Sequence, residues 1–322
     1  MTKGPVLITG GAGFIGSLLS RTLVESGAQV VVYDNLSCDH GERLGPRDPR
    51  CELVEGDVRD TDRLRQTLRD RDPQVLFHLA AIHFIPDCNA RPFEAMDVNV
   101  NGTRSVLNAC RAHPPAAVVF ASTAAIYPTQ PGRFSEASPP GPLDVYGSTK
   151  LMGEELAHLF ARETGVSTVV ARLFNAFGPG DANPHLLPAI AAQLRDGGRT
   201  IRLGNLDPVR DYIHVRDVVA ALQLLAARRP DPFEVFNVGT GVGRSVRQVA
   251  EAFGAALGLR LAITQDPALV RSVERLELVA DAGRLARETG WEPRVVFEEG
   301  LRELVAAPFL NPSKEGPGTS RG

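Results

Sequence analysis

Residues 5–16 read PVLITGGAGFIG: a short apolar run, then glycines at Gly10, Gly11, Gly13 and Gly16. A strand that must turn within a few residues and open a helix at Phe14 has few folds available to it. Gly10, Gly13 and Gly16 give a GxxGxxG spacing at that turn. Glycine lets the backbone bend sharply and come close to a bound group. The helix N-terminus behind it offers free N–H groups and a partial positive charge, which suit an anion. At the first strand-to-helix turn of a parallel sheet, that combination predicts a pyrophosphate, and so a dinucleotide.

The rest of the chain fits such a sheet. QVVVYD, CELVEGD, VLFHLA, AAVVFAS and STVVAR are short β-branched runs, apolar almost throughout rather than alternating. That pattern suits parallel strands buried on both faces. Between them lie helix-length segments over 14–25, 61–70, 91–112 and 146–164. Right-handed strand–helix–strand units predict an α/β, doubly wound parallel sheet of Rossmann type. Proline and glycine thicken over 128–147, a predicted loop ending where Tyr146 opens a helix. Beyond 172 helices near 186–195, 216–228 and 245–258 alternate with TIRL, EVFNV and RLAIT. We read 1–171 as a dinucleotide-binding domain and 172–310 as a smaller C-terminal α/β substrate lobe with segments returning to the main sheet. Residues 311–322, rich in Pro, Gly and Ser, are expected to be disordered.

With 43% hydrophobic and 23% charged residues and a net charge of −3, nothing in the composition suggests a general nucleic-acid or membrane-surface binder. Its start, broken by glycines, is expected to be neither signal peptide nor anchor. Cys38, Cys51, Cys88 and Cys110 show no metal-ligand spacing, so we expect a reducing, cytoplasmic setting and no metal.

About 20 residues after the glycine loop, the second strand ends at Asp34. An acid there accepts hydrogen bonds from a ribose diol and repels a 2′-phosphate, which favours NAD over NADP; a solvated turn is the alternative. Asp57, at the end of another strand, is a candidate acceptor for the adenine amino group.

The chemistry is read from FASTAAIY and YGSTK. Oxidising a sugar alcohol requires a base to take the hydroxyl proton as hydride leaves carbon. A free tyrosine, with a pKa of about 10, is a poor base at neutral pH. Lys150 lies one helical turn from Tyr146, on the same face, and its charge together with a cationic nicotinamide favours the phenolate. Thr123, at the end of the preceding strand, can hydrogen-bond the reacting oxygen. Thr123, Tyr146 and Lys150 are therefore the candidate catalytic set.

TGGAGFIG, YDNLS, GDVRD, HLAA, NVNGT, FASTAAIY, YGSTK, RLFNAFGPG, RDYIHVRD, FNVGTG and WEPRVVFEEGL occur in this order over nearly all of 5–305. The chain thereby resembles the extended short-chain dehydrogenase/reductases, in particular the nucleotide-sugar epimerases and dehydratases. The resemblance implies that Gly10, Gly13, Phe14, Ile15, Gly16, Asp34, Asn35, Asp57, Val58, Leu79, Ala80, Ala81, Asn99, Tyr146 and Lys150 hold NAD. It places the sugar beside Thr123 and Tyr146, and a nucleoside diphosphate on Asn175, Arg210 and Arg271. For Arg210 the alternative is an ion pair with Asp211 or Asp217, and for Arg271 a plain surface position.

Dehydratases of this family carry an Asp-Glu pair after the Ser/Thr, and the decarboxylases a Glu in that stretch. Here Ala124 and Ala125 stand there, and neither can move a proton. The resemblance therefore implies a 4-epimerase, with dehydratase, decarboxylase or reductase as alternatives and a non-catalytic NAD sensor as a distant one. His83 and Phe84 depart from the family pattern and are expected to face the sugar or nicotinamide. Leu278 falls where a bulky residue excludes N-acetyl sugars, and it leaves more room. LGNLDPVRDYIHV resembles GDP- and CDP-sugar enzymes somewhat more than UDP-sugar ones, which leaves the base open. His78 and His214 are expected to be structural. By analogy with the family, the helices over 91–112 and 146–164 are expected to pair two copies through a four-helix bundle.

Overall fold

Successive residues of the first strands point to opposite faces of one sheet, and both faces are apolar. Val6 and Ile8 join one core cluster while Leu7 joins another; Val30 and Val32 divide from Val31 and Tyr33 in the same way. A strand with two apolar faces has to be covered twice, which is what the intervening helices do. The computed structural model describes residues 4–37, 41–181, 183–194, 198–228, 232–270 and 275–307. Arg271 and the tail 311–322 lie outside the described residues.

The strands in chain order are β1 (Val6–Thr9), β2 (Val30–Asp34), β3 (Cys51–Glu55), β4 (Val75–His78), β5 (Ala117–Thr123), β6 (Arg133–Phe134) and β7 (Ser167–Leu173). They continue as β8 (Asn175–Phe177), β9 (Thr200–Leu203), β10 (Val209–His214), β11 (Phe233–Val238), β12 (Gly243–Ser245), β13 (Ala262–Gln265) and β14 (Glu277–Ala280). Seven form one parallel sheet in the order β11-β7-β5-β4-β1-β2-β3. The order reverses between β1 and β4, which makes the crevice beyond their carboxyl ends the expected ligand site of a doubly wound sheet. β12, β10, β14 and β6 form a second sheet, with β8 paired to β10; β9 and β13 pair separately.

Helices Phe14–Glu25 and Val215–Ala227 cover one face through Leu19, Leu23, Val218, Leu222 and Leu225. Helices Thr61–Arg71, Gly102–Ala112 and Val145–Thr164 cover the other through Leu64, Leu68, Val106, Leu107 and Phe160. A separate core under helices Leu186–Leu194, Val246–Leu257 and Phe297–Ala306 is built on Ile190, Ile201, Phe253 and Leu301.

The helix expected over 91–112 is interrupted. Pro92–Met96 is α-helical, Asp97–Asn101 forms a π turn, and Gly102–Ala112 is α-helical again. A π turn widens the helix by one residue and often marks a functional position; this one carries Asn99. The segment before it contains a helical turn, Ile85–Ala90, and the loop expected over 128–147 contains β6.

The glycine turn is as crowded as its spacing implies. Gly10 has φ +72°, and a Cβ there would lie 2.6 Å from the Ala80 nitrogen. A Cβ on Gly16 would lie 2.1 Å from the Gly10 carbonyl oxygen and 2.7 Å from the Gly11 Cα. Gly16→Ala must therefore push the helix off the turn. We expect a loss of ~1–3 kcal/mol in urea unfolding, the usual cost of overpacking, together with loss of bound dinucleotide by absorbance. Unchanged stability and unchanged dinucleotide content would show that the turn has slack.

Candidate active site

The crevice at the switch point begins with the glycine turn. Gly13 is the N-cap of the helix Phe14–Glu25 and provides no side-chain cap. Phe14 and Ile15 open the first turn, so its N–H groups are left for an anion. Asp34 braces this turn from β2: one carboxylate oxygen accepts from the Ala12 N–H at 3.0 Å and the other from the Leu36 N–H at 2.8 Å. A turn kept clear of side chains, with an uncapped helix behind it, fits a dinucleotide pyrophosphate.

Asp57 is engaged in protein contacts. Arg59 Nε and Nη2 meet its two oxygens at 2.9 and 2.6 Å, and Asn35 also bonds it, which holds its carboxyl below the usual range. Arg59 also reaches Asp97 at 2.8 Å. Val58 is buried against Gly102, where a Cβ would be 2.8 Å from Val58 Cγ2. The Leu79 N–H donates to the Thr9 carbonyl at 3.0 Å, so the Leu79–Ala80–Ala81 segment passes directly beside Gly10.

Asn99 joins three elements. Its Oδ1 accepts from the Ile82 N–H at 2.8 Å, and its Nδ2 donates to the Ile82 carbonyl at 2.9 Å and to Thr149 Oγ1 at 3.0 Å. The π turn thus ties the loop after β4 to the helix that carries Tyr146 and Lys150. Beneath it, Thr103 donates to the Asn99 carbonyl at 2.6 Å and contacts His78 Nε2 at 2.9 Å. Thr103 has already given its proton, so His78 Nε2 is the donor, and Nδ1 accepts from the Thr9 hydroxyl at 2.7 Å. Burial pushes the His78 pKa down to about 3, so the ring is a neutral structural group. His214 is likewise buried, lowered to about 4, and caps the helix Val215–Ala227 through the Arg216 N–H.

The structure brings Thr123 and Tyr146 into hydrogen-bond contact, with Lys150 one turn further along the helix Val145–Thr164. Thr123 ends β5 and is hydrogen-bonded to the Tyr146 phenol, an interaction that favours the phenolate; burial pushes the other way and raises the phenol above its ordinary value. Thr123 Oγ1 also accepts from the Ala125 N–H at 3.1 Å, which leaves its own proton for Tyr146. Lys150 is buried, with Nζ 4.2 Å from the centroid of the Phe120 ring. Burial lowers its pKa to about 7, against the pull of Glu154.

Glu154 lies one further turn along the same helix face. It accepts from the Ser122 hydroxyl and from Arg172 Nε and Nη2, the last at 2.8 Å. Arg172 also donates to the Tyr127 hydroxyl at 2.9 Å and the Glu136 carbonyl at 3.1 Å. Asn237 of β11 closes the network, 2.8 Å from the Tyr127 hydroxyl.

Among the expected substrate residues, Asn175 of β8 is paired in register with Tyr212, and Arg210 of β10 with Leu278 of β14. Leu278 is buried in one cluster with Ala124, Ile126 and Tyr127, directly under the turn after Thr123. Arg210 Nη1 donates to the Val209 carbonyl at 2.9 Å. The two acids suggested as its partners are engaged elsewhere: Asp211 accepts from Thr240, Gly241 and Ala280, and Asp217 from the Arg294 and Val295 N–H groups.

His83 bonds the Ala81 backbone and lies 2.9 Å from Asn183 Nδ2, while Phe84 meets the His185 ring edge-on at 5.3 Å. Asn183 and His185, like Glu154 and Arg172, escaped the sequence reading. GDANPH contains no motif, but its polar residues after a glycine pair hint at a ligand loop.

Known proteins of similar sequence and fold bear on this site. The model of the NAD dependent epimerase/dehydratase family matches residues 6–239. The UDP-glucose 4-epimerase of Lactobacillus helveticus is 32% identical over 321 residues, covering 94% of this chain and 94% of its own. The crystal structure of the Thermotoga maritima UDP-glucose 4-epimerase with UDP-glucose superposes with a TM-score of 0.85 at 30% identity, covering 94% of this chain and 97% of that one. The Thermus thermophilus UDP-glucose 4-epimerase in complex with NAD gives 0.83 at 30% identity, with 94% and 97% covered. With the glycine turn, the Thr123–Tyr146–Lys150 set and this match over most of its length, the chain belongs to the NAD-dependent epimerase/dehydratase family.

Proposed function

We propose that this protein is an NAD-dependent 4-epimerase of nucleotide sugars, with a uridine diphosphate sugar as substrate. The observation that carries the reading is the turn after Thr123. Ala124 and Ala125 are buried there, at 2% and 6% exposure, where a dehydratase would present carboxylates. Glu154, the buried carboxylate of the catalytic helix, and Asp144 at its cap are bound to Arg172 and Arg275 at 2.8 and 2.9 Å. The set can move the hydroxyl proton, but it has no group to expel water or CO₂. The uridine base is supported by the named relatives.

NAD, held by the glycine turn, would supply a hydride acceptor at C4 and a hydride donor to the opposite face of the 4-keto sugar once that sugar has rotated in the pocket. The chain's residues do the rest. Tyr146 takes the 4-hydroxyl proton and later returns one, Thr123 holds the reacting oxygen, and Lys150 stabilises the phenolate. Gly10, Gly13, Phe14, Ile15 and Gly16 would cradle the pyrophosphate. Asn175, Arg210 and Arg271 would grip the diphosphate of the substrate, and Leu278 and His83 would border the sugar. We place the cofactor in the lobe 1–171 and the nucleotide sugar against 172–310.

We further propose a homodimer. Phe93, Met96, Met152 and Leu159 are exposed at 84%, 40%, 44% and 41% on the two helices of the predicted bundle. A cytoplasmic setting is supported by free cysteines at Cys51, Cys88 and Cys110. Among the described residues no helix is long and apolar enough to cross a membrane, and no cluster could hold a metal ion.

Four outcomes are expected. Incubated with UDP-hexoses in D₂O, the protein should yield the 4-epimer with no solvent deuterium at C5 by NMR; loss of water or CO₂ would establish the dehydratase or decarboxylase reading instead. Tyr146→Phe should cut turnover by at least ~10²-fold, within the range of general base catalysis, while bound NAD stays near the wild-type amount; wild-type turnover removes Tyr146 from its role.

Lys150→Met tests the buried amine. Below pH ~7 the folded state bears the whole cost of the buried ammonium. Between about 7 and the unfolded value of 10.5 the folded protein has released a proton that the unfolded chain still holds, so stability rises with pH. The cofactor-free variant should therefore be more stable than wild type at pH 6, by a few kcal/mol in order of magnitude, with the gain vanishing above about pH 10.5. Equal stability at both pH values in chemical unfolding argues against a buried charge. Phe93→Glu should convert a dimer to monomer in sedimentation velocity; a monomeric wild type rejects the bundle.

A further inference from the structure

Arg275 is 9% exposed and stands just before β14. Burying a guanidinium costs several kcal/mol unless its donors are engaged, and these are. Nη1 meets Asp144 Oδ2 at 2.9 Å, Nη2 donates to the Ala125 carbonyl at 2.8 Å, and Nε to the Tyr127 carbonyl at 3.3 Å. Ala125 and Tyr127 belong to the turn that follows Thr123. Asp144 is the N-cap of the helix Val145–Thr164, and its Oδ1 accepts from the Gly147 N–H at 2.8 Å. The two segments touch directly: a Cβ on Gly147 would lie 2.3 Å from the Ala125 carbonyl oxygen. One side chain thus clamps both backbone segments that carry Thr123 and Tyr146.

The choice of cap needs a reason. Serine or asparagine would cap this helix about as well as aspartate, without placing a carboxylate two residues from a phenol that must ionise. Asp144 does bear on Tyr146 electrostatically and disfavours its phenolate. We propose that Arg275 is a positioning residue, holding the Asp144 cap so that Tyr146 faces Thr123 and offsetting part of the charge that Asp144 presents to the phenol. This rests on Tyr146 being the base.

The other groups around Tyr146 are accounted for. Thr123 faces it from β5, and Cys88 from the helix Ile85–Ala90, its thiol pushed up to about 11 and so neutral through the working range. On its own helix are Lys150 and, beyond that, Glu154. His83 faces Lys150 from the loop after β4, with Asp87 and Arg43 beyond it.

The test uses the NAD-loaded protein without sugar. The titration of Tyr146 is read as the ultraviolet phenolate absorbance of each variant minus that of its Tyr146→Phe counterpart. Arg275→Leu should raise the midpoint by about one pH unit, as an unscreened neighbouring carboxylate does. Asp144→Asn, which keeps a cap and drops the charge, should lower it. The double variant Asp144→Asn with Arg275→Leu should return it to within about 0.3 unit of wild type, well inside one such shift. If Arg275→Leu does not fold, Asp144→Asn alone decides. An unmoved midpoint in Asp144→Asn, or a double variant no closer to wild type than Arg275→Leu, overturns the proposal, since a purely structural clamp would lower turnover without moving the titration. Because no sugar is present, failure to make a 4-epimer leaves this result standing. Absence of any Tyr146 titration rejects the base assignment and this proposal together.

Discussion

The buried pair of Glu154 and Arg172 fixes the helix on which the chemistry rests. Tyr146, Lys150 and Glu154 recur every fourth residue, so one helix face carries all three. Arg172 comes from β7, the strand beside the edge strand β11 of the large sheet. A carboxylate and a guanidinium with side chains 6% and 9% exposed gain little net stability from each other once desolvation is counted. What they supply is rotation and register. Glu154 is satisfied only where Ser122 and Arg172 both reach it, and there Lys150 lies over Phe120 and Tyr146 meets Thr123. A slip of the helix by one residue would leave two buried charges unpaired, which costs far more than the pair contributes.

The glycine turn acts as the opposite kind of constraint, by keeping side chains out. Its crowding at Gly10 and Gly16 brings the helix N-terminus against the segment Leu79–Ala81, and Asp34 braces it from β2. The cofactor groove is thus defined by missing Cβ atoms on one side and by hydrogen-bonded side chains on the other. Asn99 joins the two halves. From the π turn it reaches both the loop after β4 and the catalytic helix.

Much of this was legible in the sequence, for physical reasons. Two-faced apolar strands, a glycine spacing that admits no side chain, and an i, i+4 Tyr–Lys pair are local signals. The unread parts depend on distant partners. Nothing near Arg275 announces that it meets Asp144, 131 residues earlier, or near Asn183 that it meets His83, 100 residues earlier. The π turn was missed because its one-residue insertion leaves the apolar periodicity on either side intact. Asp57 is legible as a candidate acceptor or a turn acid, but its pairing with Arg59 depends on side-chain geometry that the sequence does not carry.

The large sheet also takes its last strand from far downstream. β7 pairs with β11 in register from Thr168 with Phe233 to Leu173 with Val238. A chain emerging from the ribosome therefore carries an apolar, hydrogen-bond-hungry edge along β7 for the time needed to make some sixty more residues, a few seconds to about ten at ordinary elongation rates. Exposed edges of this kind recruit other strands. Maturation of the enzyme is thus paced by its second half, and a nascent or truncated first half is the form in which it is most open to aggregation or chaperone capture.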